Sequence, residues 1–156
     1  MKKLLVLTAT HGLALVVGFA AGIYVLPILI APEGPSVVDV ESVAGAAEYT
    51  AEFRRDLKGS DPLHWGEGMV TVGRKAVALR GRIAPGPDYK LYLVPEFVDT
   101  KDAFIHVKDR SLRVGDVKTF ENFIVPLPAA ADISKYDTVV VWCESFSQFI
   151  TAAKYR

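Results

Sequence analysis

Residues Asp137 to Phe146 read Asp-Thr-Val-Val-Val-Trp-Cys-Glu-Ser-Phe. Val139 to Trp142 are four β-formers in succession, and they lead into Cys143, the only cysteine in the chain. An apolar run with no polar alternation predicts a strand buried on both faces, which belongs in the interior of a sheet. Successive side chains on a strand point to opposite faces. Trp142 is therefore expected in the core, with Cys143 facing a separate environment. The same ten residues thus constrain the fold and carry the one side chain with thiol chemistry.

The N-terminus obeys a different constraint. After Met1-Lys2-Lys3, the stretch Leu4 to Ala31 contains no formally charged side chain. A helix needs about 20 apolar residues to cross a bilayer core, and the apolar part of a cleaved signal only about 7–15. The length favours an uncleaved signal anchor over residues 1–31, although Ala20-Ala21-Gly22 offers small residues at which a signal peptidase can cut. Lys2 and Lys3 hold the N-terminus in the cytoplasm, so the chain after Pro32 is expected to be extracytoplasmic, in a periplasm or at a cell surface. Gly18 and Gly22 form a Gly-x-x-x-Gly pair that lets two membrane helices approach closely, a route to a homodimer. Against this, glycine is common in such spans. His11 stands alone and is read as a tolerated neutral side chain.

Residues 32–48 are a linker and lead-in. Ala31-Pro32-Glu33-Gly34-Pro35-Ser36 stops the helix, and Val37 to Glu48 fits either a short helix or an irregular segment. From Tyr49 the pattern turns to short strands separated by Gly/Pro turns. Strands are predicted at Tyr49–Asp56, Met69–Val72 (bounded by Gly66, Gly68 and Gly73), Ala76–Ile83, Tyr89–Val94, from Val114, at Phe120–Leu127 and at Tyr136–Cys143. Phe146–Ala153 follows as the hairpin partner of the last. Arg80 and Arg82 alternate with Val77, Leu79 and Ile83, so that strand should have one solvated face. Glu96 to Arg113 reads as the least regular segment, with Phe104-Ile105-His106-Val107 its only apolar nucleus. Short strands at such spacing predict an all-β sandwich over residues 49–156.

Function classes narrow by exclusion. With 18 basic and 18 acidic residues the chain has no electrostatic footprint for nucleic acid. It contains no Gly-x-Ser-x-Gly elbow, phosphate loop or dinucleotide fingerprint. Cys-x-x-Cys and His-x-x-x-His pairs of the zinc type are also missing. Whether it is an enzyme is left open. Asp99 with Glu96 or Asp102 reads as a solvated loop, and Lys101, Lys108, Arg110 and Arg113 as a solvated face. Two candidates remain. Cys143 is either a small buried hydrophobe or a thiol able to exchange electrons, form a mixed disulfide or bind a metal. His64, in Asp61-Pro62-Leu63-His64-Trp65, is either a turn histidine or a second ligand beside it, with haem or a metal as open choices of cofactor. His106 has no nearby partner.

Several of these residues together resemble a known family. Phe53, Asp61, His64 and Gly68, the strand introduced by Gly86-Pro87-Asp88-Tyr89, Val114-Gly115-Asp116-Val117-Lys118, and Val140-Val141-Trp142-Cys143-Glu144-Ser145-Phe146 are similar to the DM-thirteen (DM13) domain. The likeness spans about residues 49–156. It departs at Glu121-Asn122-Phe123, where the family typically shows a glycine and a tyrosine. The resemblance implies an all-β domain of the kind found in membrane-anchored bacterial proteins, with a role in electron transfer. It further implies that Cys143 is the redox centre, with His64, Trp142, Asp88 and Phe146 supporting it and a redox protein as partner. The competing reading is a non-catalytic binding module in which Cys143 is core packing and the loops at 58–68 and 96–113 meet a partner.

Overall fold

The computed structural model describes all 156 residues. It opens with a helix, α1 (Lys2–Ile30), long and apolar enough to cross a membrane. Of this helix only Pro27 is buried against the rest of the chain. A second helix, α2 (Val37–Ala44), follows the Pro/Gly linker. Its start is fixed by a reciprocal cap: Ser36 Oγ accepts from the Asp39 N–H, and the Asp39 carboxylate accepts from the Ser36 N–H, both at 3.2 Å. That Ser-x-x-Asp pair is what decides for helix in a segment whose apolar pattern was ambiguous.

Eight strands then build two antiparallel sheets. Their ranges are β1 (Tyr49–Phe53), β2 (Gly66–Val72), β3 (Ala76–Ile83), β4 (Tyr89–Val94), β5 (Leu112–Val117), β6 (Glu121–Pro126), β7 (Thr138–Cys143) and β8 (Gln148–Lys154). One sheet runs β1-β2-β3-β6 and the other β5-β4-β7-β8. The result is the β-sandwich that the sequence predicts. β7 lies between β4 and β8, and all six of its residues are buried. Val70, Leu79, Leu91, Val139 and Val141 are among the side chains that fill the space between the sheets. Arg80 and Arg82 are exposed on the outer face of β3, as their alternation requires, and pair with Glu41 and Glu67.

Three expectations need correction. β2 begins at Gly66 instead of being bounded by it, and there the strand passes so close to Thr151 on the opposite sheet that an added Cβ would sit 2.5 Å from it. Glycine is the residue that allows this close approach. The irregular segment 96–113 contains a third helix, α3 (Lys101–Val107), whose first turn is capped by Thr100 Oγ1 accepting from the Ala103 N–H. Phe104 and Val107, three residues apart, both face inward, so two apolar side chains suffice to dock so short a helix. Finally, Lys108 is not part of a solvated face, because it is half-buried and ion-paired with Glu144 at 2.6 Å.

Through α3 the second sheet is covered on its outer face too. Phe104 and Val107 pack against Tyr92, Val140, Trp142 and Phe149. A bulge makes this second cluster fit. Val141 pairs with Thr151 but Trp142 with Phe149, which leaves Ile150 as an extra residue on β8. Phe149 consequently joins Trp142 outside, while Ile150 joins the core between the sheets.

Candidate functional site around Cys143

β7 ends at Cys143, which stands opposite Tyr89 on β4 and Gln148 on β8. Trp142 and Cys143 do face opposite sides of the sheet, but with the environments exchanged relative to expectation. Cys143 is 3% exposed and belongs to the main core between the sheets, whereas Trp142 lies in the smaller aromatic cluster under α3. The turn Glu144–Ser147 follows Cys143 directly, and the amides of Ser145 and Phe146 lie against the sulfur while Ser145, Phe146 and Ser147 are themselves exposed. The Ser147 N–H donates to the Glu144 carbonyl at 3.2 Å, and the Glu144 N–H donates to the Asp88 carbonyl at 3.0 Å. Ser147 adopts φ 47°, a left-handed conformation that a side chain tolerates only where the turn demands it.

Burial raises the Cys143 thiol pKa above its ordinary value, and the nearby Asp88 carboxylate adds to that. The backbone amides of Phe146, Asp88 and Ser145 act in the opposite direction, favouring the thiolate without overcoming the burial. The sulfur is thus neutral at rest, in a setting where three peptide groups can stabilise negative charge.

Asp88 organises the turn from below. Its carboxylate accepts from Ser145 Oγ at 3.0 Å and from Lys90 Nζ at 2.7 Å. Lys90 also reaches Asp116 at 2.9 Å. Lys90 holds the Asp88 carboxyl below the usual carboxylate range, with Ser145 assisting. Phe146 has a different situation. It is 53% exposed and faces α1 across a groove of about 940 Å³ whose helical wall includes Gly18 and Gly22.

His64 belongs to another local structure. Asp61 Oδ1 accepts the backbone N–H groups of Leu63 and His64 at 2.7 and 2.9 Å, and Oδ2 lies 2.7 Å from His64 Nδ1. Beside it the Arg55 guanidinium stacks on the Trp65 ring, 3.4 Å from its centre. These contacts brace the β1–β2 connection. No hydrogen bond, ion pair or shared groove joins His64 to Cys143. His106 is exposed on α3. No group of three or more His, Cys, Asp or Glu side chains is placed to hold a metal ion. A metal ion held by Cys143 or His64 therefore finds no set of three protein ligands among these side chains.

Across β7 lies an arrangement that sequence reasoning missed. Tyr92 donates its hydroxyl to Glu144, whose other oxygen takes Lys108 Nζ at 2.6 Å. Lys108 also stands over the Trp142 ring, 5.3 Å from its centre. The Phe104 ring lies 5.1 Å from that of Tyr92 and 4.8 Å from that of Trp142. Burial works against the ionised Glu144, yet the Lys108 ammonium and the Tyr92 hydroxyl outweigh it and hold this carboxyl below its ordinary pKa. Burial, and then the hydrogen bond to Glu144, push the Tyr92 hydroxyl pKa up. The only available signal was alternation, which puts Glu144 on the same side as Trp142. Nothing in the sequence points to Lys108, 36 residues away.

Comparison with known proteins gives one match. A family model described as electron transfer DM13 covers residues 56–155, well over half of the chain, from the end of the β1 region to the end of β8. No curated protein and no solved structure matches.

Proposed function

The chain belongs to the electron transfer DM13 family, and from that premise we propose that it is a membrane-anchored extracytoplasmic electron-transfer protein with Cys143 as its redox centre. α1 is the anchor, Lys2 and Lys3 keep its start in the cytoplasm, and residues 32–48 lead into the sandwich at 49–156. The observation that carries the reading is the position of the only thiol. It lies directly beneath an exposed turn whose amides favour its charged form, braced by the Asp88–Lys90 pair. Opening of that turn, not of the fold, is what exposes the sulfur to a redox protein partner. Trp142 supports the site from the opposite face of β7, and Phe146 is its outermost side chain.

A second reading has its own support. Cys143 sits in the core at 3% exposure with a raised pKa, as expected for a cysteine that only packs. The domain is then a non-catalytic binding module. Alkylation and redox titration of the purified protein, with Cys143→Ser as the blank, separate the two. A reversible titration abolished by the substitution supports electron transfer. A thiol that neither titrates nor reacts until the protein unfolds supports the binding module. Non-reducing electrophoresis adds a check, because a reducible dimer missing from Cys143→Ser assigns the thiol to an intermolecular disulfide.

A further inference from the structure

The chain has six tyrosines, and the partners of their hydroxyls differ in kind. Tyr155 donates to the Ile133 carbonyl at 2.9 Å, an acceptor that takes up no proton at neutral pH. Tyr92 alone donates to a carboxylate, that of Glu144. Lys108 Nζ holds the other Glu144 oxygen at 2.6 Å and helps to keep this carboxyl ionised. Tyr92 itself is 5% exposed, and burial, then the bond to Glu144, keeps its proton in place at neutral pH. A phenol and an ionised base thus share one hydrogen bond in a partly buried site, the geometry that general-base proton transfer requires.

The ring of Tyr92 belongs to a chain of rings. Its centre lies 5.1 Å from that of Phe104, which in turn lies 4.8 Å from that of Trp142. Phe104 places α3 over this cluster, so an oxidant docked on α3 is separated from the rings by one helix, about 10 Å across.

Phenol and indole are the two readily oxidised rings here, and their surroundings set them apart. Trp142 Nε1 has no acceptor, so an oxidised indole would keep its proton and with it a positive charge. Lys108 Nζ stands 5.3 Å from the centre of that ring, where a second positive charge is repelled. Tyr92 escapes this penalty, because its proton leaves for Glu144 as the electron leaves the ring. The same ammonium, 5.8 Å from the Tyr92 ring centre, then faces a neutral radical.

We propose that Tyr92 is a redox-active tyrosine, with Glu144 as its proton acceptor, on the face of β7 opposite Cys143. Tyr92 gives one electron to a high-potential one-electron oxidant, of the class of organic peroxyl radicals and high-valent metal complexes. Its hydroxyl proton passes to Glu144 along the existing hydrogen bond. The products are the neutral Tyr92 phenoxyl radical, the Glu144 carboxylic acid beside Lys108, and the oxidant reduced by one electron. The inference rests on the electron-transfer reading of the domain, and not on the chemistry of Cys143.

The test uses the full chain in phosphatidylcholine nanodiscs, with ruthenium(III) tris-bipyridine, generated by a light flash and persulfate, as the oxidant. Transient absorption and electron paramagnetic resonance are expected to show a tyrosyl radical with a fast phase, ahead of hydroxyls that lose their proton to water. Tyr92→Phe keeps the ring and should abolish the fast phase, whereas Tyr155→Phe should retain it. Glu144→Gln leaves an acceptor that is not a base and should slow that phase about 100-fold, at the low end for a positioned base. Unfolding curves check that both variants fold, and either one decides the matter. A fast phase that persists in Tyr92→Phe, an unchanged rate in Glu144→Gln, or a radical that rests on an indole overturns the proposal. Redox titration of Cys143 is a separate readout. An inert thiol with a Tyr92 radical removes the cysteine-centred reading and leaves this site, and a titrating thiol with no Tyr92 radical removes this site alone.

Discussion

The two faces of β7 differ in kind although they belong to adjacent residues. On the Cys143 side the side chains are those of the main core, the sulfur is neutral, and the amides of the exposed turn after it lie against the sulfur. On the Trp142 side the cluster is aromatic, and it is capped by the ionised Glu144–Lys108 pair with the Tyr92 hydroxyl attached. Trp142 Nε1 is buried without a hydrogen-bond partner, so this face holds an unsatisfied polar group, which the cation above the ring does not answer. The comparison teaches that one strand divides two unlike environments: the only thiol faces the main core between the sheets, while Trp142 faces a smaller aromatic cluster under a charged cap.

If that division is correct, truncation on the Trp142 side carries the largest cost. Trp142→Ala empties a cluster of nine buried residues, two from α3 and six from the strands, and should cost about 3–5 kcal/mol. Chemical denaturation with fluorescence or circular dichroism measures it. Trp142→Phe should cost only about 1 kcal/mol, since it removes the orphaned N–H along with part of the ring. A loss as large as that of the alanine variant would show that the indole N–H has a partner.

Next in size is the charged cap. The Glu144 and Lys108 side chains are 25% and 30% exposed, so Glu144→Gln should cost about 1–2 kcal/mol, less than a fully buried pair. The sign with pH is definite. The Glu144 carboxyl is depressed in the folded state, so its contribution is complete above the unfolded carboxylate range and is lost as pH falls through the folded value. Wild type should therefore lose stability below about pH 4.5 with a steeper slope than Glu144→Gln. Parallel slopes would place the titration elsewhere, for example on Asp88 or Asp61.

How far this was legible depends on range. Strand positions β3, β4 and β7, the interior place of β7 and its hairpin to β8 follow from local pattern, because burial on two faces leaves no polar alternation. Helix α3 was not legible, since Phe104 and Val107 give one helical spacing and the exposed Ile105 between them blurs it. Neither was the partner of Glu144, because Lys108 reaches it only through the fold. The alternation of Trp142 and Cys143 was correct, but which face would be the larger core depends on α3 and was assigned the wrong way round. Asn122 is a smaller case. It takes φ 45°, accepts from the Gly81 N–H and donates to the Pro35 carbonyl, a left-handed position where the family pattern has glycine nearby.

On the other face the expected effects are smaller and concern reactivity. Cys143→Ala should cost about 1 kcal/mol, the size of a buried methyl-scale deletion. A cost well above that would make packing the main task of this residue. The folded thiol should alkylate roughly 100-fold more slowly than the unfolded one, since both its cover and its raised pKa oppose attack.

Asp88 provides the smallest and most discriminating change. Its carboxylate contributes to the raised thiol pKa, after burial, while its hydrogen bond from Ser145 holds the turn. Asp88→Asn keeps the hydrogen bond and removes the charge, at a cost under about 1 kcal/mol for a partly exposed pair. The pH profile of alkylation should then shift to lower pH with its plateau unchanged. Asp88→Ala releases the turn as well, so its plateau rate should rise several-fold. A plateau unchanged in both variants would mean that Glu144 to Ser147 is not the cover over the sulfur, and access to Cys143 would have to come through opening of the sheets.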